Sequence, residues 1–171
     1  MPAVPGSVLE QVRKDRERLT KPRFKDFDVP GYSALRVRYG VLPYKRTLEL
    51  AQEAYDPARD GVDPADTHIW EAAEALMDCC KGFLVKVDDT WVTWEEDGQP
   101  VRYDSTLVKA LSITLPANAQ PRDVVYELFG GLATEGTDRA LMTHYFDVIA
   151  WMDNTHAEAT AELVGNSNGA E

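Results

Sequence analysis

The longest regular pattern of hydrophobic positions in the chain runs from Thr137 to Val164. Its apolar residues form two adjacent rows, Leu141, Tyr145, Val148 and Met152 in one, and Met142, Phe146 and Ile149 in the other. At about 3.6 residues per turn, both rows lie on one broad face of a helix. The pattern predicts a long amphipathic helix near the C-terminus, whose apolar face must be covered by the protein's own core or by another protein.

A second helix is predicted near the N-terminus, over residues 7–21. Ser7 is followed three residues later by Glu10, which is the spacing of a capping box. The segment is rich in charge, and its apolar residues are few: Val8, Leu9, Val12 and Leu19. So little apolar surface cannot anchor a helix to a core, and the pattern is typical of a solvated or partner-dependent helix.

Four shorter helical patterns fill much of the middle of the chain. The first covers residues 44–55, with Leu48, Ala51 and Tyr55 on one stripe. The second follows a cap at Asp66 or Thr67, places Cys80 on its buried face and ends with Gly82 as its C-terminal cap. The third starts after a cap at Asp104, and the fourth starts at Pro121, a favoured first helical residue.

Two segments alternate with the period of two that is typical of strands. In the first, Phe27 and Val29 precede a Pro30-Gly31 turn, and the apolar residues after it alternate with Arg36 and Arg38, which predicts a hairpin with one cationic face. The second covers residues 83–103 and predicts a hairpin or meander with turns at Asp88-Asp89 and Asp97-Gly98. Trp91 and Trp94 break its alternation, which leaves two alternatives open: one of them is exposed as a contact residue, or both pack in the core.

These patterns predict an α+β fold that is mostly helical, with five to six helices, a small N-terminal β-hairpin and a second hairpin or meander near 83–103. A length of 171 residues suits one domain. We expect residues 1–22 to form a charged, flexible helix or arm, residues 23–164 a single α+β domain, and residues 165–171 a disordered tail.

Charge is unevenly distributed along the chain. Residues 1–50 contain 11 Lys+Arg and 6 Asp+Glu, whereas the remainder contains 7 Lys+Arg and 23 Asp+Glu, so the two parts carry +5 and −16. An acidic bulk repels nucleic acid and anionic membranes, and neither is expected as a partner.

No apolar run approaches a membrane span, and the first residues lack the apolar block of a signal peptide, so we expect the protein to stay in the compartment where it is made. The adjacent Cys79 and Cys80 predict a reduced thiol pair.

No pattern in the sequence predicts catalysis. The metalloprotease, Walker, dinucleotide-binding and nucleophile-elbow motifs are all missing, and His144 and His156 are too far apart on one helix to share a metal. The acidic loop over residues 56–66 lacks the ligand spacing of an EF-hand. We therefore expect neither an enzyme nor a cofactor or metal site, although scattered carboxylates and His144 leave a small hydrolase as a remote alternative.

Six segments in order give the chain a family likeness: VRKDRERLTKPRFKDFDVPGY, LRVRYGVL, MDCCKGFLVKVDD, PVRYDSTLVKALSI, PRDVVYELF and LMTHYFDVIAWMDNTHAE. Over most of residues 8–160 the chain resembles the tail assembly chaperones of long-tailed, siphovirus-type phages and prophages of actinobacteria. The resemblance implies a non-enzymatic assembly factor in the host cytoplasm, absent from the mature virion. Its implied partners are the tape measure protein and the tail-tube protein, and self-association is a further expectation.

For such a chaperone, we expect the contact residues to be large apolar side chains left on the surface. The candidates are Trp91, Trp94, Tyr145, Ile149 and Met152. The alternative is a structural virion component, such as a head–tail connector or tail completion protein. That class shares the small α+β build and the lack of catalytic residues.

Overall fold

The computed structural model describes residues 3–55, 67–130 and 137–167. Within them it contains six helices and six strands, in an α+β arrangement that confirms the predicted fold class. Their bounds, in chain order, are α1 Gly6–Thr20, β1 Phe24–Asp28, β2 Leu35–Gly40, α2 Tyr44–Ala54, α3 Thr67–Cys79, β3 Cys80–Val87, β4 Thr90–Thr93, β5 Glu95–Glu96, β6 Gln99–Pro100, α4 Ser105–Ala110, α5 Pro121–Gly130 and α6 Thr137–Ser167.

The two predicted hairpins join into one antiparallel sheet with strand order β1-β2-β3-β4. Strands β2 and β3 connect them, with Val37 opposite Phe83. The turn residues Asp88 and Asp89 both have positive φ, of 46° and 63°, which is the geometry that matches the twist of a tight hairpin. Asp97 and Gly98 do the same between β5 and β6, so both predicted turns are confirmed.

One hydrophobic cluster connects the sheet to the helices. Side chains of alternate residues on β2, namely Leu35, Val37 and Tyr39, are buried, and they belong to one cluster with residues of α3, α5 and α6. Helix α6 packs against both α3 and α5. The cluster is therefore bounded by one sheet face and three helices, and α1 contributes no buried residue to it.

Helix α6 is confirmed, but its buried face differs from the prediction. The buried positions are Leu141, His144, Val148, Met152 and Thr155. Phe146 is 60% exposed, because at about 100° per residue it lies nearly opposite the centre of this stripe. The stripe is thus displaced toward His144 and Thr155, away from the row of Met142 and Phe146. The helix also continues to Ser167, so residues 165–167 are helical rather than part of a tail, and residues 168–171 lie outside the described residues.

Two predicted caps are wrong. Helix α1 begins at Gly6 with Pro5 at its N-cap and no side-chain hydrogen bond, so Ser7 is not the cap. Gly82 does not end a helix. It lies within β3 at φ 148°, and a Cβ there would lie 2.9 Å from the Cβ of Pro100. A glycine is needed at this point because the next part of the chain passes directly over the strand.

Some of the remaining local predictions are confirmed and others are wrong. Asp104 caps α4 through hydrogen bonds from the backbone N–H groups of Thr106 and Leu107, as predicted. Pro121 begins α5, also as predicted. In α2 the predicted stripe is wrong, because the buried residues are Leu50 and Ala54, whereas Leu48 and Tyr55 are exposed. Cys80 is buried as expected but is the first residue of β3. The predicted acidic loop over residues 56–66 lies outside the described residues, as do residues 131–136.

Candidate interaction surface

Helix α1 presents an apolar stripe that nothing in the described chain covers. Val8, Val12 and Leu19 recur at helical spacing and are 49, 56 and 41% exposed, and Leu9 lies beside them at 44%. We call Val8, Leu9, Val12 and Leu19 the α1 stripe. None of the 15 residues of α1 is buried. A helix of this length is marginal alone in water, so its stability depends on contacts outside its own backbone.

Ion pairs connect this region to the far half of α6. Arg18 of α1 lies 3.9 Å from Glu162, and Arg23, just beyond the helix, lies 3.7 Å from Glu158 and 3.4 Å from Glu162. Exposed pairs of this kind typically contribute less than about 1 kcal/mol each and weaken with salt. They hold the end of α1 near α6 without covering the α1 stripe.

A cleft of ≈390 Å³ lies where the end of α1 meets the sheet and α6. We call it the basic cleft. Its charged or ionisable lining residues are Lys21, Arg23, Lys81 and His156, and its apolar ones include Leu19, Phe24, Val41 and Ala159. No acidic side chain is among its described lining residues, although the whole chain carries a net charge of −11. The lining is therefore cationic, while Glu158 and Glu162 of α6 lie beside it as the partners of Arg23.

Gly40 at the end of β2 leaves the space that the Lys81 side chain occupies in this cleft. The Cε atom of Lys81 lies 2.6 Å from the point that a Cβ at position 40 would occupy, and the Phe24 ring lies 3.4 Å from that point. The lysine stem therefore crosses β2 directly over the glycine. Any side chain at position 40 would displace it. Within the described residues, neither Lys21 nor Lys81 forms an ion pair with a carboxylate.

The cationic face predicted for the N-terminal hairpin is neutralised. Arg38 donates two hydrogen bonds to Asp26, at 2.7 and 3.0 Å, and Arg36 donates one to Asp28 at 2.6 Å. The carboxylate and hydrogen bond of Asp26 raise the pKa of Arg38 above its ordinary value. Each arginine is opposite its aspartate in the β1–β2 register, so the sheet itself sets these pairs.

Both tryptophans predicted as contact residues are half-buried. The guanidinium of Arg36 lies 4.1 Å from the centre of the Trp91 ring, in a cation–π arrangement. Trp94 packs against the hydrophobic core and also lines an apolar cavity of ≈520 Å³ beside Tyr32 and Leu111. Neither ring is fully open to solvent, and the role of both tryptophans in binding stays a prediction.

The three candidates on α6 face the protein's own core. Met152 is 4% exposed, so its side chain lies in the core in this conformation, and its role in partner binding stays a prediction. Tyr145 and Ile149 are half-buried and pack against the same core. Burial raises the pKa of Tyr145 to about 12. The wide apolar face of α6 is thus mostly occupied by α3, α5 and the sheet.

No protein-family model, curated protein or solved structure matches this chain.

A buried chain of three polar rings is the arrangement closest to a catalytic site. The hydroxyls of Tyr39 and Tyr103 share a hydrogen bond of 2.5 Å, and the Tyr39 hydroxyl also lies 2.9 Å from Nε2 of His144. Burial lowers the pKa of His144 from 6.5 to about 4, with Asp147 opposing the change, and raises that of Tyr39 well above its ordinary value. The three rings are at most 7% exposed, so no substrate reaches them. Their polar atoms satisfy one another inside the core, which is a structural role.

Residues 3–55, 67–130 and 137–167 also bear on metal binding and on membrane insertion. No group of three or more His, Cys, Asp or Glu side chains there is placed to hold a metal ion. None of the described helices combines the length and apolarity needed to cross a membrane.

The α1 stripe and the basic cleft differ in how visible they are in the sequence. The few apolar residues of α1 already indicate a helix without a core contact. The cleft gives no such signal, because Phe24, Gly40, Lys81 and His156 come from four separate segments and meet only in the folded chain.

Proposed function

We propose that this chain is a non-enzymatic assembly chaperone of the phage-tail type, and that it binds a long helical partner through the α1 stripe. The observation that carries the proposal is that α1 is a fully formed helix with exposed apolar residues and none buried. Laying an amphipathic helix against an apolar surface is a common mode of peptide recognition. The proposed partners are the tape measure protein and, through recruitment, the tail-tube protein.

The size of the α1 stripe supports a weak, reversible contact. Full burial of a Val or Leu side chain contributes about 1.5–3 kcal/mol. Each of the four side chains is about half exposed, so only half of this free energy is still to be gained on binding, or roughly 3–6 kcal/mol for the four together. Association and side-chain ordering cost several kcal/mol against this. One copy alone therefore binds weakly, which suits a coat of many self-associating copies along a long partner that must later be removed.

Co-expression with the tape measure protein tests the proposal. The wild-type chain is expected to keep that partner soluble and to co-purify with it from the host cytoplasm. Val8→Ser combined with Val12→Ser is expected to abolish both effects, because the stripe loses its apolar centre. Glu17→Ser is the matched control, since Glu17 is exposed and lies about 180° around α1 from Val8. Equal solubility and recovery with the double variant and with the wild type would contradict the proposed surface.

Mass spectrometry of purified virions separates the chaperone from a structural component. A chaperone acts before completion and is expected to be absent from finished particles. Recovery of the chain at a few copies per particle would instead identify a connector or completion protein.

A further inference from the structure

The α1 stripe and the basic cleft form one continuous surface. Leu19 belongs to both, as the last residue of the stripe and a lining residue of the cleft. From Val8 to Leu19 the stripe extends about 16 Å along α1, at 1.5 Å per residue. A partner helix that lies along the stripe therefore reaches Lys21, Lys81 and His156 at one end.

We infer that the basic cleft receives a cluster of carboxylates at the end of the partner helix. This inference rests on the proposed function, because it takes the occupant of the stripe to be a helix. Charge complementarity is its basis. The cleft is cationic in an acidic protein, and Lys21 and Lys81 are without ion pairs among the described residues.

The arrangement of the cleft favours a carboxylate-bearing polypeptide over a small free anion. Arg23 is already paired with Glu158 and Glu162, which leaves two lysines at the cleft rather than a closed ring of donors. Phe24 is 51% exposed and borders the same cleft, so part of the lining is apolar. A polypeptide end supplies both carboxylates and apolar stems, whereas inorganic phosphate leaves the apolar part uncovered.

Gly40 distinguishes a positioned lysine from general surface charge. A methyl group at position 40 would meet only the flexible end of Lys81 at close range, so Gly40→Ala moves that side chain while the fold and every charge are kept. If the cleft recognises carboxylates through the place of Lys81, this variant weakens recognition. If the attraction is only diffuse, it does not.

Two synthetic amphipathic helices provide the probe, identical except that one ends in a cluster of glutamates and the other in glutamines. Their affinities for the full chain are measured by fluorescence anisotropy at low and at physiological salt. The glutamate peptide is expected to bind about tenfold more tightly, with the difference reduced by salt. Lys21→Met combined with Lys81→Met is expected to remove the difference, and Gly40→Ala to reduce it. Lys86→Met is the control, because Lys86 lies on the same strand but outside the cleft lining.

Each other outcome overturns the inference. Equal affinity for the two peptides, or a difference that survives loss of both lysines, removes the cleft from recognition. Tight binding of inorganic phosphate without discrimination between peptides identifies a small-anion site instead. A change only in the oligomeric state of the lysine variant identifies a second copy as the occupant.

The peptides also separate this inference from the proposed function. The glutamine peptide could bind as well as the glutamate peptide, and Val8→Ser with Val12→Ser could abolish the binding of both. In that case the α1 stripe keeps its proposed role in binding, and only the role of the basic cleft is contradicted. If neither peptide binds and the co-expression effect is also missing, both fail.

Discussion

At the scale of single residues, His144 shows what sequence reasoning missed. The sequence places it on the long helix. There it remains a remote candidate for a metal ligand or a catalytic residue of a hydrolase, since a histidine among carboxylates is a common catalytic pattern. In the structure it is 3% exposed, its ring centre lies 5.0 Å from that of the tilted Phe129 ring, and it is hydrogen-bonded to Tyr39. These two residues, which contact His144, come from β2 and α5, so the spacing of residues within α6 cannot predict these contacts.

The pH dependence of stability tests this assignment. His144 has a pKa of about 4 in the folded chain and about 6.5 when unfolded. Between these values the unfolded state binds a proton that the folded state does not, so stability falls as pH falls from 6.5 to 4. Above pH 6.5 this loss of stability is absent, and below pH 4 it is complete. At 1.36 kcal/mol per pKa unit, the full loss is about 3 kcal/mol.

His144→Gln is expected to remove this component, because the amide does not titrate. Urea unfolding at pH 7 and pH 4 should show the wild type losing about 3 kcal/mol more than the variant. His156→Gln, at an exposed position of the same helix, should behave like the wild type. Parallel losses in His144→Gln and the wild type would show that the imidazole is not held neutral in the core.

At the scale of elements, periodicity predicts that a helix exists better than it predicts which rows are buried. The extended apolar pattern of α6 is enough to identify the helix. It does not decide between the Phe146 row and the His144 row, because that choice depends on where α3, α5 and the sheet approach. Apolar residues on α2 mislead in the same way, since Leu50 is buried and Leu48 is not.

Two truncations on α6 test the buried stripe. Met152→Ala is expected to lower the free energy of unfolding by about 2–5 kcal/mol, because the side chain is 4% exposed and a cavity would remain. Phe146→Ala is expected to change it by less than about 0.5 kcal/mol, as its ring is 60% exposed. Chemical unfolding at one pH measures both. Similar losses for the two variants would return Phe146 to the core and contradict the orientation of α6.

At the scale of the whole molecule, the structure separates a core from an arm. The hydrophobic cluster extends from Phe27 to Met152, whereas α1 adds no buried residue and is tied to α6 by exposed ion pairs. The charge is divided at another point, because residues 1–50, which carry +5 against −16 on the rest, also include β1, β2 and part of α2. The sequence predicts the arm from the few apolar residues of α1, and the uneven charge follows from composition alone. It does not predict the basic cleft, which depends on tertiary contacts.

Hydrogen–deuterium exchange of the chain alone and in complex with the co-purified tape measure protein tests the central claim most directly. The free chain should exchange rapidly over residues 6–20, because an exposed helix without core contacts opens easily. On binding, protection should concentrate in α1 and around the basic cleft, while the amides of α3, α5 and the sheet remain as slow as before. Protection confined to Trp91, Trp94 or α6, with α1 still exchanging freely, would contradict the account.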